Sequence, residues 1–244
     1  MAYTTVAFVG ATGGAGTTRT ALEAAVALGA DGADVAVLDA AYATQGLGDY
    51  LPGRLDPDLT TLVTDRPDDP LAVGFVEVDV ETPGAVVCCP ADAPFERLAR
   101  AKTVDAARAF ERRIEEAAAT ADHVLVDVPP VAANQALAAT TACERVCLVS
   151  PGSDRGADAT NRLRERIADV GAAVDVVAVV GGSDDRETAD VVVPSTDAAF
   201  AGVLSEERYG RAVADLASRL VDREVASVGG SGGLFGGVAD RVRR

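Results

Sequence analysis

The sequence predicts an α/β protein with a mostly parallel central sheet and helices on both faces. Three observations predict it. Short Val-rich apolar runs recur along the chain and stop abruptly at Gly, Asp or Pro. Between most of them lie longer stretches whose apolar residues repeat at helical spacing. The runs are apolar throughout rather than alternating, as expected for strands buried on both faces of a parallel sheet. A chain of 244 residues that is 48% hydrophobic is ample for such a core.

The elements follow in order. Residues 5–10 (TVAFVG) form a strand ending in Gly, and a Gly-rich turn leads into a helix over 18–29. Residues 35–38 are a second strand ending at Asp39. The stretch 52–79 is rich in Asp and Pro and reads as a short helix near 59–63 plus a variable connection. Residues 86–89 are a strand stopped by Pro90. One long helix follows, with Phe95, Ala99, Ala106, Phe110 and Ile114 on one side. Residues 124–126 form a strand that runs into Asp127, Val128, Pro129 and Pro130. Residues 146–150 form another, ended by Pro151. Leu163, Ile167 and Val170 mark a helix, residues 176–180 and 191–193 two strands, and Tyr209, Val213, Leu216 and Leu220 the buried side of a final helix. No repeat or domain boundary is evident before Arg223. The predicted organisation is one domain over 1–223, a Gly-rich linker over 224–233 and a short tail over 234–244.

Composition excludes several classes. The formal net charge is −16, and of 22 basic residues 21 are Arg and one, Lys102, is Lys. This acidic, Lys-poor pattern fits a salt-rich cytoplasm such as that of a halophilic archaeon, where carboxylates keep the surface hydrated. It argues against a direct nucleic-acid surface, because the body repels phosphate. No apolar run reaches the roughly 18 residues of a membrane span, and the N-terminus lacks the basic and apolar regions of a signal peptide. A reducing cytoplasm is the expectation. Cys88, Cys89, Cys143 and Cys147 lack metal-ligand spacing and the single His, His123, offers no partner. Buried thiols and no structural metal are expected.

Ligands of parallel sheets bind at the carboxyl ends of the strands. There the first loop, VGATGGAGTTRTA, joins a strand to a helix start. Such a turn presents backbone N–H groups and a helix N-terminus, so its natural ligand is phosphate. The glycines at 10, 13 and 16 also suit an NAD(P)-binding Rossmann loop, with Asp39 on a ribose hydroxyl. Against that reading, the Tyr-x-x-x-Lys pair of many such dehydrogenases is absent, since Leu98 stands four residues before Lys102.

The loop more closely resembles the deviant Walker A motif of the ParA/MinD family of P-loop ATPases, G-K-G-G-x-G-K-T-T. Gly13, Gly14, Gly16 and Thr18 match it. VAVLDAAYATQGLGDYLPG resembles the family's second strand and switch I segment. HVLVDVPPVAANQALAAT resembles Walker B and switch II, RVCLVSPGSDRGADATNRL the next strand and helix, and VVVPSTDAAFAGV the late segment before the last helix. The likeness runs in order from about residue 5 to 222. It implies ATP or ADP with Mg2+ as cofactor, held by Gly13, Gly14, Ala15, Gly16, Thr17 and Thr18. Thr18 and Asp127 would be the metal ligands, with Asp39 behind them. It also implies a homodimer, or a heterodimer with an intact paralogue.

The departures concern catalysis. Thr17 stands at the P-loop Lys, Thr12 at the signature Lys, Ala11 at the first Gly and Ala41 at the second Asp of D-x-D. One such transition-state contact is worth on the order of 10²–10³ in rate, so the resemblance and its departures imply either a nucleotide bound with hydrolysis weak or lost, or a vestigial, empty site. Arg19 is expected on a solvated helix face. An active ATPase with a non-standard loop is the main alternative. In the tail, Leu234, Phe235, Val238 and Val242 share an arc of about 100° if helical. With Arg241, Arg243 and Arg244 they resemble the membrane-targeting helix of MinD-type proteins. The expectation is an anionic membrane surface as partner, and peripheral attachment at the inner face of the cell membrane.

Overall fold

The computed structural model describes residues 4–53, 55–131, 133–182, 189–198 and 200–227. The tail residues Leu234, Phe235, Val238 and Val242 lie outside the described residues, as does the linker beyond residue 227.

The Val-rich runs are strands because each is buried on both sides. They are β1 (Thr4–Gly10), β2 (Val35–Asp39), β4 (Val86–Cys89), β5 (His123–Val128), β6 (Arg145–Pro151), β7 (Val176–Val180) and β8 (Val191–Val193). All run parallel, and a two-residue strand, β3 (Val76–Glu77), pairs antiparallel on β4. Among the described residues they form one sheet in the order β3-β4-β2-β5-β1-β6-β7-β8.

Helices cover both faces. On one side α1 (Thr17–Ala30) and α7 (Glu207–Val221) bury Leu22, Val26, Val213, Leu216 and Leu220 with Leu47. On the other, α2 (Leu59–Thr64), α4 (Val104–Ala118), α5 (Asn134–Ala142) and α6 (Asp154–Asp169) bury Leu59, Leu62, Phe110, Ile114, Leu163 and Ile167. This two-sided arrangement is the predicted fold class.

Some local expectations need correction. The long helix is two: α3 (Phe95–Ala101) stops at Lys102, and Thr103 caps α4 by accepting from the Ala106 N–H at 3.3 Å. Phe95 is 87% exposed, so it does not share the packed side with Phe110. Helix α5 follows β5 unannounced, because NQALAATTA carries small apolar residues around its circumference. The 52–79 stretch holds α2 where a short helix was expected, and adds a 3-10 turn (Leu71–Gly74) and β3. Cys88, Cys89, Cys143 and Cys147 are free and buried. At the C-terminal end, Val225 is buried and Ala226 donates its N–H to Asp31, so packing persists just past α7. Among the described residues no helix is long and apolar enough to cross a membrane.

Strand order places the site. β1 lies between β5 and β6, and β5 separates it from β2. In a dinucleotide-binding sheet the first two strands are neighbours, so the Rossmann alternative is not favoured. The register brings Gly10, Asp39 and Asp127 to adjacent carboxyl ends, with Asp39 directly beside Asp127.

Candidate functional site

The loop between β1 and α1 folds back tightly. A Cβ on Gly10 would stand 2.6 Å from the Thr17 hydroxyl, so that close approach requires glycine. Gly14 and Gly16 have φ of 73° and 84°, in the left-handed region where glycine is unstrained. The Ala11 N–H donates to the Val149 carbonyl at 2.8 Å, which ties the loop to β6. Gly16 is the N-cap residue of α1, no side chain caps this end, and the first turn carries no acid. Thr17 and Thr18 are thus inside the helix and do not cap it. The unpaired N–H groups of a helix start and its positive dipole end are left for an anion.

Thr18 donates its hydroxyl to Asp127 Oδ2 at 2.6 Å. A hydroxyl and a carboxylate in contact are hard oxygen donors, which suit Mg2+. Asp39 is fully buried and accepts from the Ala41 N–H at 2.8 Å and the Ala91 N–H at 3.3 Å. It is not among the described lining residues of the pocket and stands beside Asp127 on the neighbouring strand. Burial, and then the neighbouring Asp127 charge, push the Asp39 carboxyl up to about 8. Burial also raises Asp127, against the pull of the Thr18 hydroxyl.

These residues open into a pocket of about 450 Å³, lined by 12–19 on one side and by Ala41, Thr44, Gly46, Asp49, Tyr50, Asp127 and Pro129 on others. Gly13, Gly14, Ala15, Gly16, Thr17, Thr18 and Asp127 all border it. Asp49 and Tyr50 were not foreseen. They sit in a 3-10 turn (Gly46–Tyr50) whose polar sequence GLGDY has no spacing that marks a site. Lys102 ends α3 and is not part of the lining.

Arg19 also departs from expectation. It is the one positively charged side chain among the described lining residues, yet it is not a free helix-face residue. Its guanidinium bonds Glu23 at 3.3 Å and the Ala198 carbonyl at 2.8 Å, and lies 5.9 Å from the centre of the Tyr209 ring. Glu23 is fully buried and accepts from the N–H groups of Gly202 and Val203 at 3.1 and 2.9 Å. Burial raises the Glu23 carboxyl, and those two N–H groups and Arg19 oppose the shift. The donor set therefore fits a magnesium–phosphate group through Thr18, Asp127 and backbone N–H groups, while the one positive side chain among the described lining residues, Arg19, is already paired with Glu23.

Neither a protein-family model nor a curated protein matches the sequence. Solved structures do. The cell division ATPase MinD of Pyrococcus furiosus superposes with a TM-score of 0.72 at 19% identity, covering 91% of this chain and 99% of that one. The MinC:MinD cell division protein complex of Aquifex aeolicus gives 0.73 at 17%, covering 91% and 97%. Cobyrinic acid a,c-diamide synthase of Mycobacterium smegmatis, with a bound ATP analogue and magnesium, gives 0.70 at 16%, covering 92% and 98%. At these identities the likeness establishes the fold, that of the MinD/ParA P-loop NTPases.

Proposed function

We propose that this chain is a ParA/MinD-like protein that binds Mg–ATP or Mg–ADP at the 12–18 loop, hydrolyses ATP weakly or not at all, and acts as a regulatory or positioning factor. The observation that carries the reading is the Thr18–Asp127 hydrogen bond of 2.6 Å beside a loop with Thr12 and Thr17 at the lysine positions. The metal-holding half of the site is retained and the charge-neutralising half is not. Bound magnesium would supply the positive charge that offsets phosphate repulsion in an acidic chain. Thr18 and Asp127 would hold it. The N–H groups of the loop would orient the phosphates, and Pro129 and Pro130 would wall that end of the pocket.

The Aquifex MinD is in a complex with MinC, which supports a role exerted through partners. A homodimer or a heterodimer with an intact paralogue fits that role, in the cytoplasm and at the inner membrane face through the tail. Arg19 borders the pocket, which favours an active ATPase as the second reading; its bonds to Glu23 and Ala198 oppose it.

Calorimetry with Mg–ATP at high salt, paired with a phosphate-release assay, separates the readings. The expected outcome is binding without release, with binding lost in Asp127→Ala. Release that disappears in Arg19→Ala would establish the active enzyme instead. Absence of binding would remove the nucleotide reading.

A further inference from the structure

The sheet ends at β8, and among the described residues nothing pairs with its outer side. The Val193 carbonyl accepts from the Gly181 N–H at 2.9 Å, so Val193 turns its backbone groups toward β7. The backbone groups of successive strand residues point to opposite sides, so Val192 directs its N–H and its carbonyl to the open edge. Pro194 has no N–H to add there. Beside the edge lies α7, which with β8 lines a hollow of about 400 Å³ and contributes Arg208, Ala212 and Asp215 to it. These stand at i, i+4 and i+7, one stripe along the helix. Arg208 and Asp215 are exposed, and Ala212 between them is half-buried. Val191 and Val193 share a core cluster with Val213 and Leu216, so strand and helix present one surface.

We propose that β8 and this stripe of α7 form a docking surface for a second copy of the chain, joined edge to edge about a two-fold axis. Such an interface must be complementary to itself, and both parts of this surface are. In an antiparallel pair, a residue opposite its own copy can exchange both N–H···O bonds with it, which the outward groups of Val192 allow. The same axis sets the two α7 helices antiparallel, with Ala212 facing the partner's Ala212 and Arg208 facing the partner's Asp215. The small Ala212 lets the helices approach. Asp215 pairs with Arg219 of its own helix at 3.3 Å, both about half exposed, and such a surface pair is given up at little cost. A peptide strand would use the edge but not the opposed charges, which favours the second copy. β6 and β7 separate this edge from β1 and its loop, so the contact does not rest on the nucleotide reading.

The test is sedimentation equilibrium without nucleotide at high salt. Repulsion between two chains of charge −16 is then screened, and pairs inside an interface are screened much less. The proteins are the unmodified chain, Val192→Pro, Arg208→Asp, Asp215→Arg and the double variant carrying both charge swaps. The unmodified chain should show a reversible monomer–dimer equilibrium. Each single swap sets like charges against each other and should raise the dimer dissociation constant about tenfold or more. The double variant restores opposite charges across the axis and should return to within about threefold of the unmodified chain. Val192→Pro removes the outward N–H, a change that an edge strand tolerates, and should weaken the dimer as well. Should that variant fail to fold, the charge swaps at exposed positions decide alone. The proposal is overturned if the unmodified chain stays monomeric up to its solubility limit, which would leave the edge to another protein. It is also overturned if the single swaps leave the dimer unchanged or the double variant does not recover it. A dimer that forms only with Mg–ATP overturns it too, while leaving the nucleotide reading intact.

Discussion

Thr18 and Asp127 are 109 positions apart, and one hydrogen bond joins them. Their identities were readable in advance because each stands in a short motif at a strand end. Asp39 shows the limit of that kind of reading. Its place at the end of β2 is evident from sequence, but its burial and its turn toward the Ala41 and Ala91 backbone depend on strands that meet only in the folded sheet. Burial raises its carboxyl pKa to about 8, so the folded chain binds this proton more tightly than the unfolded chain does. Stability from this group is therefore greatest at acid pH and declines as pH rises from the ordinary carboxylate range near 4 through about 8. Without nucleotide, Asp39→Asn should flatten the melting-temperature profile over that window and raise the alkaline end by roughly a few degrees. Thermal scans of both proteins from pH 5 to 9 would check this, and parallel profiles would show that Asp39 does not carry the effect.

Helix α1 begins at the pocket and is pinned at Glu23. A glutamate within TALEAAVALGA already announces a charge on an apolar helix, but not what meets it. The partners are Arg19, four residues before it, and the Gly202 and Val203 N–H groups, about 180 positions on. This links the phosphate-loop helix to the turn that precedes α7. Leaving those donors and the Arg19 charge without their acceptor should be costly. Glu23→Ala is expected to destabilise the protein by about 3 kcal/mol in urea unfolding, and Glu23→Gln by less. A change in Glu23→Ala below about 1 kcal/mol would mean that burial of the carboxylate already offsets its bonds. Elsewhere, element boundaries followed chemistry that periodicity conceals. The apolar spacing runs on through Lys102 and Thr103, yet the Thr103 cap starts a new helix there.

Across the whole molecule, the charge of −16 opposes compaction and repels anionic ligands, and both effects weaken as salt screens them. Magnesium at Thr18 and Asp127 answers the same repulsion locally. The Arg-bearing tail inverts the sign at one end of the chain and gives the membrane proposal its test. Full-length protein should float with anionic vesicles, and a form lacking 234–244 should stay in the dense fraction. Equal flotation of the two forms would remove the membrane contact.

By itself the sequence determined the seven parallel strands, the two-sided burial, the glycine loop and the absence of its lysines, but not the two-residue β3. All of these follow from local pattern or from which side chain stands at a motif position. Only the tertiary structure decided that β5 lies between β1 and β2, that Arg19 is held by Glu23 and the Ala198 carbonyl, and that Tyr50 and Asp49 border the pocket. Those facts rest on contacts between distant segments, and a one-dimensional pattern carries no record of which buried surfaces meet.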